Sequence, residues 1–228
     1  MSTVALVPAA GRGERLGFGM PKAFVPVRGT ALLAHAVRGL LDAGCVRHVV
    51  VAAPPADLAA TTALLKAAGL PAMVVAGGAD RTASVGLALR HALQVIPDTR
   101  VVLVHDAARA FTPTSVIQAV VAAVEAGARA VIPVLPMADT VKQVDAEGTV
   151  LTTPDRACLR VVQTPQGFDA ATLAEAYALA DSATDDAGLV EKLGIAVTTV
   201  PGHPYAMKVT TPFDLAIAEA VLAAQEGK

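Results

Sequence analysis

The chain has 228 residues, of which 54% are hydrophobic, 17% charged and 3% aromatic, with no Trp and a net charge of −2. At that length one large domain can bury a full core, and high hydrophobicity with low charge excludes a disordered chain. A slightly acidic chain with two Tyr and five Phe also lacks the basic groove and aromatic platforms of a single-stranded nucleic-acid binder.

Continuous apolar runs at residues 4–7, 48–52, 73–76, 101–105 and 130–134 read as strands covered on both faces, as a parallel sheet requires. Helical stretches at 31–43, 56–68, 79–95 and 114–126 separate them, with Gly44, Gly69 and Gly127 where helix C-caps belong. This alternation predicts an α/β domain with a mostly parallel sheet. Beyond residue 134 the rhythm breaks. Runs at 139–144 and 149–153, joined by Asp145-Ala146-Glu147-Gly148, read as a hairpin with no covering helix. Such a hairpin is an arm that packs on its own domain or reaches a partner. A strand at 161–164, helices at 170–180 and 185–193, strands at 195–200 and 206–209, and a helix from Pro212 to about residue 224 complete the chain. The reading is one domain, 1–228, with an arm at 137–155.

In open α/β sheets ligands bind beyond the carboxyl ends of the strands. The first strand runs into Pro8-Ala9-Ala10-Gly11-Arg12-Gly13-Glu14-Arg15. Gly11 and Gly13 let the backbone approach a ligand closely, and successive N–H groups there can hold phosphate oxygens. Leu16 rules out the dinucleotide fingerprint, and no Gly-Lys-Ser/Thr follows to make a Walker loop. Arg15 and Lys22 flank the loop, with Pro21 stiffening the approach to Lys22; a solvated Gly-rich turn has the same composition.

The fourth strand ends in His105-Asp106-Ala107-Ala108-Arg109. A carboxylate there is placed to hold Mg²⁺, which takes one or two carboxylates with substrate phosphates and waters; a turn or cap role is the alternative. His105 reads as packing at a strand end, because no carboxylate–His–nucleophile set surrounds it. Gly77-Gly78, Arg81 to Ser84, Asp139-Thr140, Asp155-Arg156, Thr164-Pro165-Gln166, Thr184-Asp185-Asp186 and Lys208 follow other strands. Singly each is ordinary, and Thr184 reads as a helix N-cap.

The richest apolar stretch, 116–138, is broken by Gln118, Glu125 and Arg129, so no membrane span of about 20 residues is read. No basic segment precedes an apolar one at the N-terminus, so no secretory signal is read. Cys45 and Cys158 have no motif spacing and read as small packing residues in a reducing compartment. The expected location is cytoplasmic, with no nucleic-acid or membrane partner.

In their order along the chain, the Pro-Ala-Ala-Gly-x-Gly-x-Arg run, Pro21-Lys22, Val104 to Arg109, Thr164-Pro165-Gln166 and Met207-Lys208-Val209-Thr210 resemble one family. It is the 2-C-methyl-D-erythritol 4-phosphate cytidylyltransferases of non-mevalonate isoprenoid synthesis. The His-Asp-Ala-Ala-Arg run is specific to it, whereas the Gly-rich run is shared with wider sugar-phosphate nucleotidyltransferases. The resemblance implies a Rossmann-like nucleotidyltransferase fold, CTP as donor, Mg²⁺ as cofactor and a homodimer with interlocking arms. By the same resemblance, residues from Pro8 through Ala9, Ala10, Gly11 and Gly13 to Arg15 would wrap CTP, with Ala107 alongside. Arg15 and Lys22 would neutralise its triphosphate, Gly77, Gly78 and Ser84 would face cytosine, and Lys208 would contact the α-phosphate. Asp106 would sit at the metal and the acceptor. Arg109, Thr140, Arg156, Thr164 and Thr184 would line the acceptor pocket, Thr140 and Arg156 coming from the neighbouring subunit. Ala79 stands where some members carry an acid, which leaves the base to backbone readout.

A phosphate monoester is largely dianionic at pH 7, so the implied acceptor needs no general base. Catalysis then rests on positioning and charge neutralisation, and five of the 18 cations, Arg15, Lys22, Arg109, Arg156 and Lys208, fall on these positions. Three alternatives stay open at this stage. They are another polyol phosphate such as ribitol 5-phosphate as acceptor, UTP or GTP as donor, and a catalytically silent nucleotide-binding module. The end of the chain close behind its last helix leads to the expectation of a monofunctional protein without a fused cyclodiphosphate synthase domain.

Overall fold

The computed structural model describes residues 2–9, 20–179 and 183–226. β1 (Ser2–Pro8) is buried at every residue but the last, which explains why its sequence runs apolar without alternation. A 3-10 turn (Lys22–Phe24) and a ribbon of β2 (Pro26–Val27) and β3 (Thr30–Ala31) lead into α1 (Leu32–Asp42). Arg28 and Gly29 turn the ribbon at positive φ, 47° and 79°; two residues per strand leave no period to read in sequence. Then come β4 (His48–Ala53), α2 (Leu58–Ala67), β5 (Met73–Ala76), α3 (Arg81–Val95), β6 (Thr99–Val104), α4 (Thr114–Glu125) and β7 (Ala130–Pro136), matching the expected alternation. Gly44, Gly69 and Gly127 have φ of 72°, 69° and 109°, the left-handed backbone that a helix C-cap asks of glycine.

The arm pairs only over β8 (Gln143–Val144) and β9 (Val150–Thr152), a two-stranded sheet of its own and shorter than the predicted runs. Every paired residue is exposed, so no buried face extends the register. The turn holds it instead: the Asp145 carboxylate accepts the N–H of Glu147 (3.1 Å) and Thr149 (2.7 Å).

β10 (Arg160–Val162), β11 (Gln166–Asp169), α5 (Ala170–Leu179), α6 (Asp186–Glu191), β12 (Thr198–Pro201) and α7 (Pro212–Glu226) follow. The main sheet runs β5–β4–β1–β6–β11–β7–β12. β1, β4, β5 and β6 are parallel, and β12 is parallel to β7. β11 is antiparallel to both β6 and β7. The mostly parallel sheet therefore has two reversed strands, β10 and β11, because the chain returns from the arm directly along β7 instead of through a crossover helix. β10 lies on the same edge of β7 as β11, since Val134 and Val131 each carry β12 on the other side. The predicted strand at 161–164 thus ends at Val162: Gln163 still donates its N–H to the Pro133 carbonyl of β7 (2.8 Å), and Thr164 and Pro165 leave the ladder before β11 resumes it. Pro165 has no N–H to donate to a ladder.

Two further expectations are corrected. Residues 206–209 form no strand: a 3-10 turn (Pro204–Ala206) is followed by extended chain tied by the Val209 N–H to the Ala108 carbonyl (2.8 Å). Thr184 does not cap α6; Asp185 does, its carboxylate accepting the Gly188 N–H at 2.9 Å, as its position one residue nearer the helix allows. Cys45 packs against the core as expected, but Cys158 is exposed.

The strands alternate their apolar side chains between two cores. Ala5, Val7 and Leu103 pack with α1 and α4 residues such as Val37 and Val120. Val4, Leu6, Val102 and Val104 pack with α3 and α5 residues such as Leu89 and Leu173. Gly167 in β11 is needed for the first of these: a Cβ there would overlap Val120 Cγ1 and come within 3.3 Å of Leu103 and Val124 methyls. Gly167→Ala is expected to lower unfolding stability by about 1–3 kcal/mol, the usual range for overpacking a core. A lower urea midpoint at unchanged m-value checks it.

Candidate active site

The carboxyl ends of β1, β4, β5 and β6 open on one edge of the sheet. Just past them the Ala9 N–H donates to the Ala52 carbonyl (2.8 Å) and the Gly77 N–H to the Ala53 carbonyl (2.7 Å). Pro8-Ala9 and Gly77-Gly78 thereby flank the end of β4 on its two sides. Ala10, Gly11, Gly13 and Arg15 lie outside the described residues. Lys22 opens the 3-10 turn behind Pro21 (φ −56°) and is half-buried.

The backbone of β6 delivers the centre of the site. His105 continues the strand, donating its N–H to the Leu6 carbonyl at 2.9 Å. Asp106 follows, with its N–H on Thr164 Oγ1 at 3.1 Å. Thr164 comes from the break between β10 and β11, and its hydroxyl also meets His105 Nδ1 at 3.0 Å. Burial pulls the His105 imidazole down to about 4, although the Asp106 carboxylate beside it acts the other way. His105 is therefore a neutral packing and hydrogen-bonding group at pH 7.

Asp106 is buried, with three cations around its carboxylate. Arg81 Nε lies 3.2 Å from Oδ1, Lys208 Nζ 2.8 Å from Oδ2, and Arg109 Nε 4.0 Å from Oδ2. Burial pushes the carboxyl pKa up, but the fields of Arg81, Lys208 and Arg109 outweigh it and hold the pKa well below the usual carboxylate range. Lys208 is the most exposed member, its side chain 45% accessible against 11% for Asp106, so the ammonium is anchored on one side and open on the other.

Arg109 also braces the backbone around the site. Its Nη1 donates to the Ala206 carbonyl (2.8 Å) and its Nη2 to the Val162 carbonyl (3.2 Å). Together with the Val209 N–H on Ala108, this ties the Lys208 segment and the end of β10 to β6. Gln163 adds a second tie: its Oε1 accepts the His203 N–H (3.0 Å) and its Nε2 donates to the His203 carbonyl (2.9 Å).

Ser84 is fully buried. Its hydroxyl donates to the Asp80 carbonyl (2.7 Å) and accepts the Gly78 N–H (3.0 Å), so it shapes the Gly77-Gly78 strap. Asp80 caps α3 through the Ala83 N–H at 2.7 Å. A Cβ on Gly78 would stand 2.5 Å from Ala83 Cβ; only glycine lets the strap lie this close to the helix start. Ala107 is buried behind Asp106, while Ala79 is exposed.

Thr140 lies in the arm and Arg156 just past its end, and both are exposed; Arg156 Nη1 donates to the Ala138 carbonyl at 2.8 Å. No hydrogen bond or ion pair described for them reaches the Asp106 cluster. Thr184 is exposed immediately before α6. Arg81 and Asp186, to which the resemblance gives no role, join the cluster. Arg81 Nη2 lies 2.8 Å from Asp186 Oδ2, and Asp186 is completely buried, accepting the Tyr177 hydroxyl on Oδ1 at 2.5 Å. A signal for Arg81 existed in the sequence: a cation in the first turn of a helix opposes the helix dipole and so needs an anion from elsewhere.

The donor set does not fit a resident protein-held metal. Asp106 is the carboxylate at the strand end, and both its oxygens face cations. Among the described residues no group of three or more His, Cys, Asp or Glu side chains could hold a metal ion.

A mixed, mostly parallel α/β sheet with a cation-rich centre at its carboxyl edge is the architecture of a nucleotidyltransferase. The chain matches the family model for 2-C-methyl-D-erythritol 4-phosphate cytidylyltransferase over residues 3–224. The protein of that name from Saccharopolyspora erythraea is 66% identical over 224 residues, covering 98% of this chain and 100% of the relative. The one from Nocardia farcinica is 56% identical, covering 97% and 94%. The crystal structure of the Thermus thermophilus cytidylyltransferase superposes with a TM-score of 0.81 at 38% identity, covering 98% and 100%. The chain belongs to the 2-C-methyl-D-erythritol 4-phosphate cytidylyltransferase family.

Proposed function

We propose that the chain transfers the cytidylyl group of CTP to 2-C-methyl-D-erythritol 4-phosphate, releasing pyrophosphate. The reading is carried by the Lys208–Asp106 pair at the carboxyl end of β6 in a chain of this family. An acceptor phosphate oxygen attacks the α-phosphorus of CTP in line. The new P–O bond forms as the bond from the α-phosphorus to the β-phosphate oxygen breaks, and pyrophosphate leaves with that electron pair. The acceptor is already anionic, which suits a site whose strand-end histidine is buried and neutral. The work left to the protein is bringing two polyanions together and stabilising the charge that develops.

In this reading Lys208 meets the α-phosphate, and Lys22 with Arg15 neutralises the triphosphate. Pro8 to Gly13, Gly77, Gly78 and Ala107 hold the nucleoside, Ser84 acting through the strap. Thr164 and Thr184 face the acceptor. Asp106 serves as the anchor of Lys208, and Arg109 braces the segment that carries it. Mg²⁺ enters as part of the substrate, on the CTP phosphates. Residues 1–228 act as one catalytic unit in the cytoplasm. The arm at 137–155 joins two copies so that Thr140 and Arg156 complete the partner's acceptor pocket; exposed Val144, Val150 and Leu151 on the arm support a surface that is covered in the dimer. Among the described residues no helix is long and apolar enough to cross a membrane.

Pyrophosphate release with CTP and methylerythritol phosphate tests the assignment, run against ribitol 5-phosphate and against UTP and GTP. The expected result is turnover with the first pair alone; preference for ribitol 5-phosphate, or release with no acceptor, overturns it. Asp106→Asn is expected to lower kcat by about tenfold or more while the Mg²⁺ concentration for half-maximal rate stays unchanged. A sharply raised Mg²⁺ requirement would instead make Asp106 a metal ligand.

A further inference from the structure

Arg81 stands at the first position of α3, behind the Asp80 cap, and divides one guanidinium between two carboxylates from different parts of the chain. Nε is 3.2 Å from Asp106 Oδ1, and Nη2 is 2.8 Å from Asp186 Oδ2. Asp106 ends the β6 side of the site; Asp186 opens α6, two residues after Thr184. Asp186 has no access to solvent, so its charge depends on Arg81 and on the Tyr177 hydroxyl. Tyr177, from α5, in turn packs against α3, where a Cβ at Gly86 would come 3.2 Å from its ring. The Asp185 side chain holds the same segment from the other side, accepting Gln166 Nε2 at 2.7 Å, while Gln166 Oε1 takes the Ala187 N–H at 3.0 Å.

Only one oxygen of Asp106 faces Lys208. The other is occupied by Arg81, which stops the carboxylate from turning both oxygens toward the lysine. With Arg81 in place the Lys208 ammonium has one short anchor and an open face.

We propose that Arg81 is a positioning residue for cytidylyl transfer: it fixes the Asp106 carboxylate, and through it the Lys208 ammonium, and locks the Thr184–Asp186 segment to the end of β6. Arginine is required because its planar fork presents two N–H groups in fixed directions, whereas lysine offers a single point charge. The inference rests on the reading of Lys208 as the residue at the α-phosphate.

The test uses the full-length chain and steady-state pyrophosphate release. Arg81→Gln alone would leave the buried Asp186 without its cation, so the main variant is Arg81→Gln with Asp186→Asn, which removes both partners of the pair together. The expected result is a kcat lower by about 10²-fold, the size of loss that a misplaced catalytic group produces, with KM for CTP and for the acceptor little changed and the melting temperature near wild type. Adding Asp106→Asn should cost little beyond Asp106→Asn alone, because groups that act as one unit are non-additive. Arg81→Lys should not restore kcat, and Tyr177→Phe should leave it near wild type. Additive losses, or a raised KM with kcat preserved, overturn the inference in favour of direct phosphate binding by Arg81. Unchanged kcat per folded enzyme overturns it in favour of a purely structural ion pair. Lys208→Ala run alongside separates the two levels: if it retains full turnover, the reading of Lys208 fails, and if it loses turnover while the Arg81 variants do not, only the present inference fails.

Discussion

Lys208→Ala is expected to reduce kcat by about 10²–10³-fold, the loss seen when one preorganised charge-stabilising group is deleted from a transition state. The side chain is nearly half exposed, and its partner Asp106 keeps Arg81 at 3.2 Å. Little packing is lost, so the change in unfolding free energy should stay within about 0.5 kcal/mol. The loss belongs to kcat because charge builds on the α-phosphate oxygens only as the acceptor attacks, and ground-state binding of CTP retains its other contacts. Lys208→Arg keeps the charge but replaces a compact ammonium by a wider fork, and should recover only part of the rate. Single-turnover CMP transfer at saturating CTP measures the step directly. Turnover close to wild type in Lys208→Ala would remove this lysine from the chemistry and leave Asp106 as an anchor with nothing to position.

What the sequence made legible and what it hid differ for a physical reason. β1, β4, β6 and β7 were legible because strands buried on two faces run largely apolar, and α1, α2 and α4 are followed by glycines whose φ is positive. β11 was not, because its sequence is Gln-Gly-Phe-Asp. Gln166 is buried there only because Asp185 and Ala187 satisfy both ends of its amide. Gly167 is there because Val120 takes the space of a side chain. Neither compensation is local in sequence. The same holds in the site. Asp106 is recognisable from its position past β6 and Lys208 from the Met-Lys-Val-Thr run, but the Arg109 brace is not. Its carbonyl acceptors lie 97 and 53 residues away, beyond any local pattern. The Ser84 hydroxyl is likewise tied to backbone, within the strap it shapes. Polar residues near a site divide into those that touch ligand and those that hold the backbone which does, and only the hydrogen-bond partners tell them apart.

The buried histidine at the end of β6 makes stability depend on pH in a defined window. His105 is enclosed, with Asp106 and Arg109 as its charged neighbours and the Thr164 hydroxyl on Nδ1. Burial holds it neutral down to about 4, whereas the unfolded chain protonates it near 6.5. Between these values the unfolded state binds the extra proton. Stability is therefore fully present above about pH 6.5 and falls as pH drops, at about 1.4 kcal/mol per unit for this one group and about 3 kcal/mol in all. His35, also lowered by burial, adds to the slope with the same sign. Asp106 acts in a separate window: its folded pKa is depressed, so its contribution begins to be lost only as pH falls through the ordinary carboxylate value of 3.8. His105→Asn retains a side chain able to meet Thr164 and removes the titration. Urea unfolding at intervals from pH 4 to 7 should show wild type losing stability through the window and the variant losing it less steeply, even if the variant starts lower from imperfect packing. Parallel slopes would mean that His105 protonates inside the folded chain without penalty. Its hydrogen bond to Thr164, and with it the ordering of the Asp106 backbone, would then have to survive the charge.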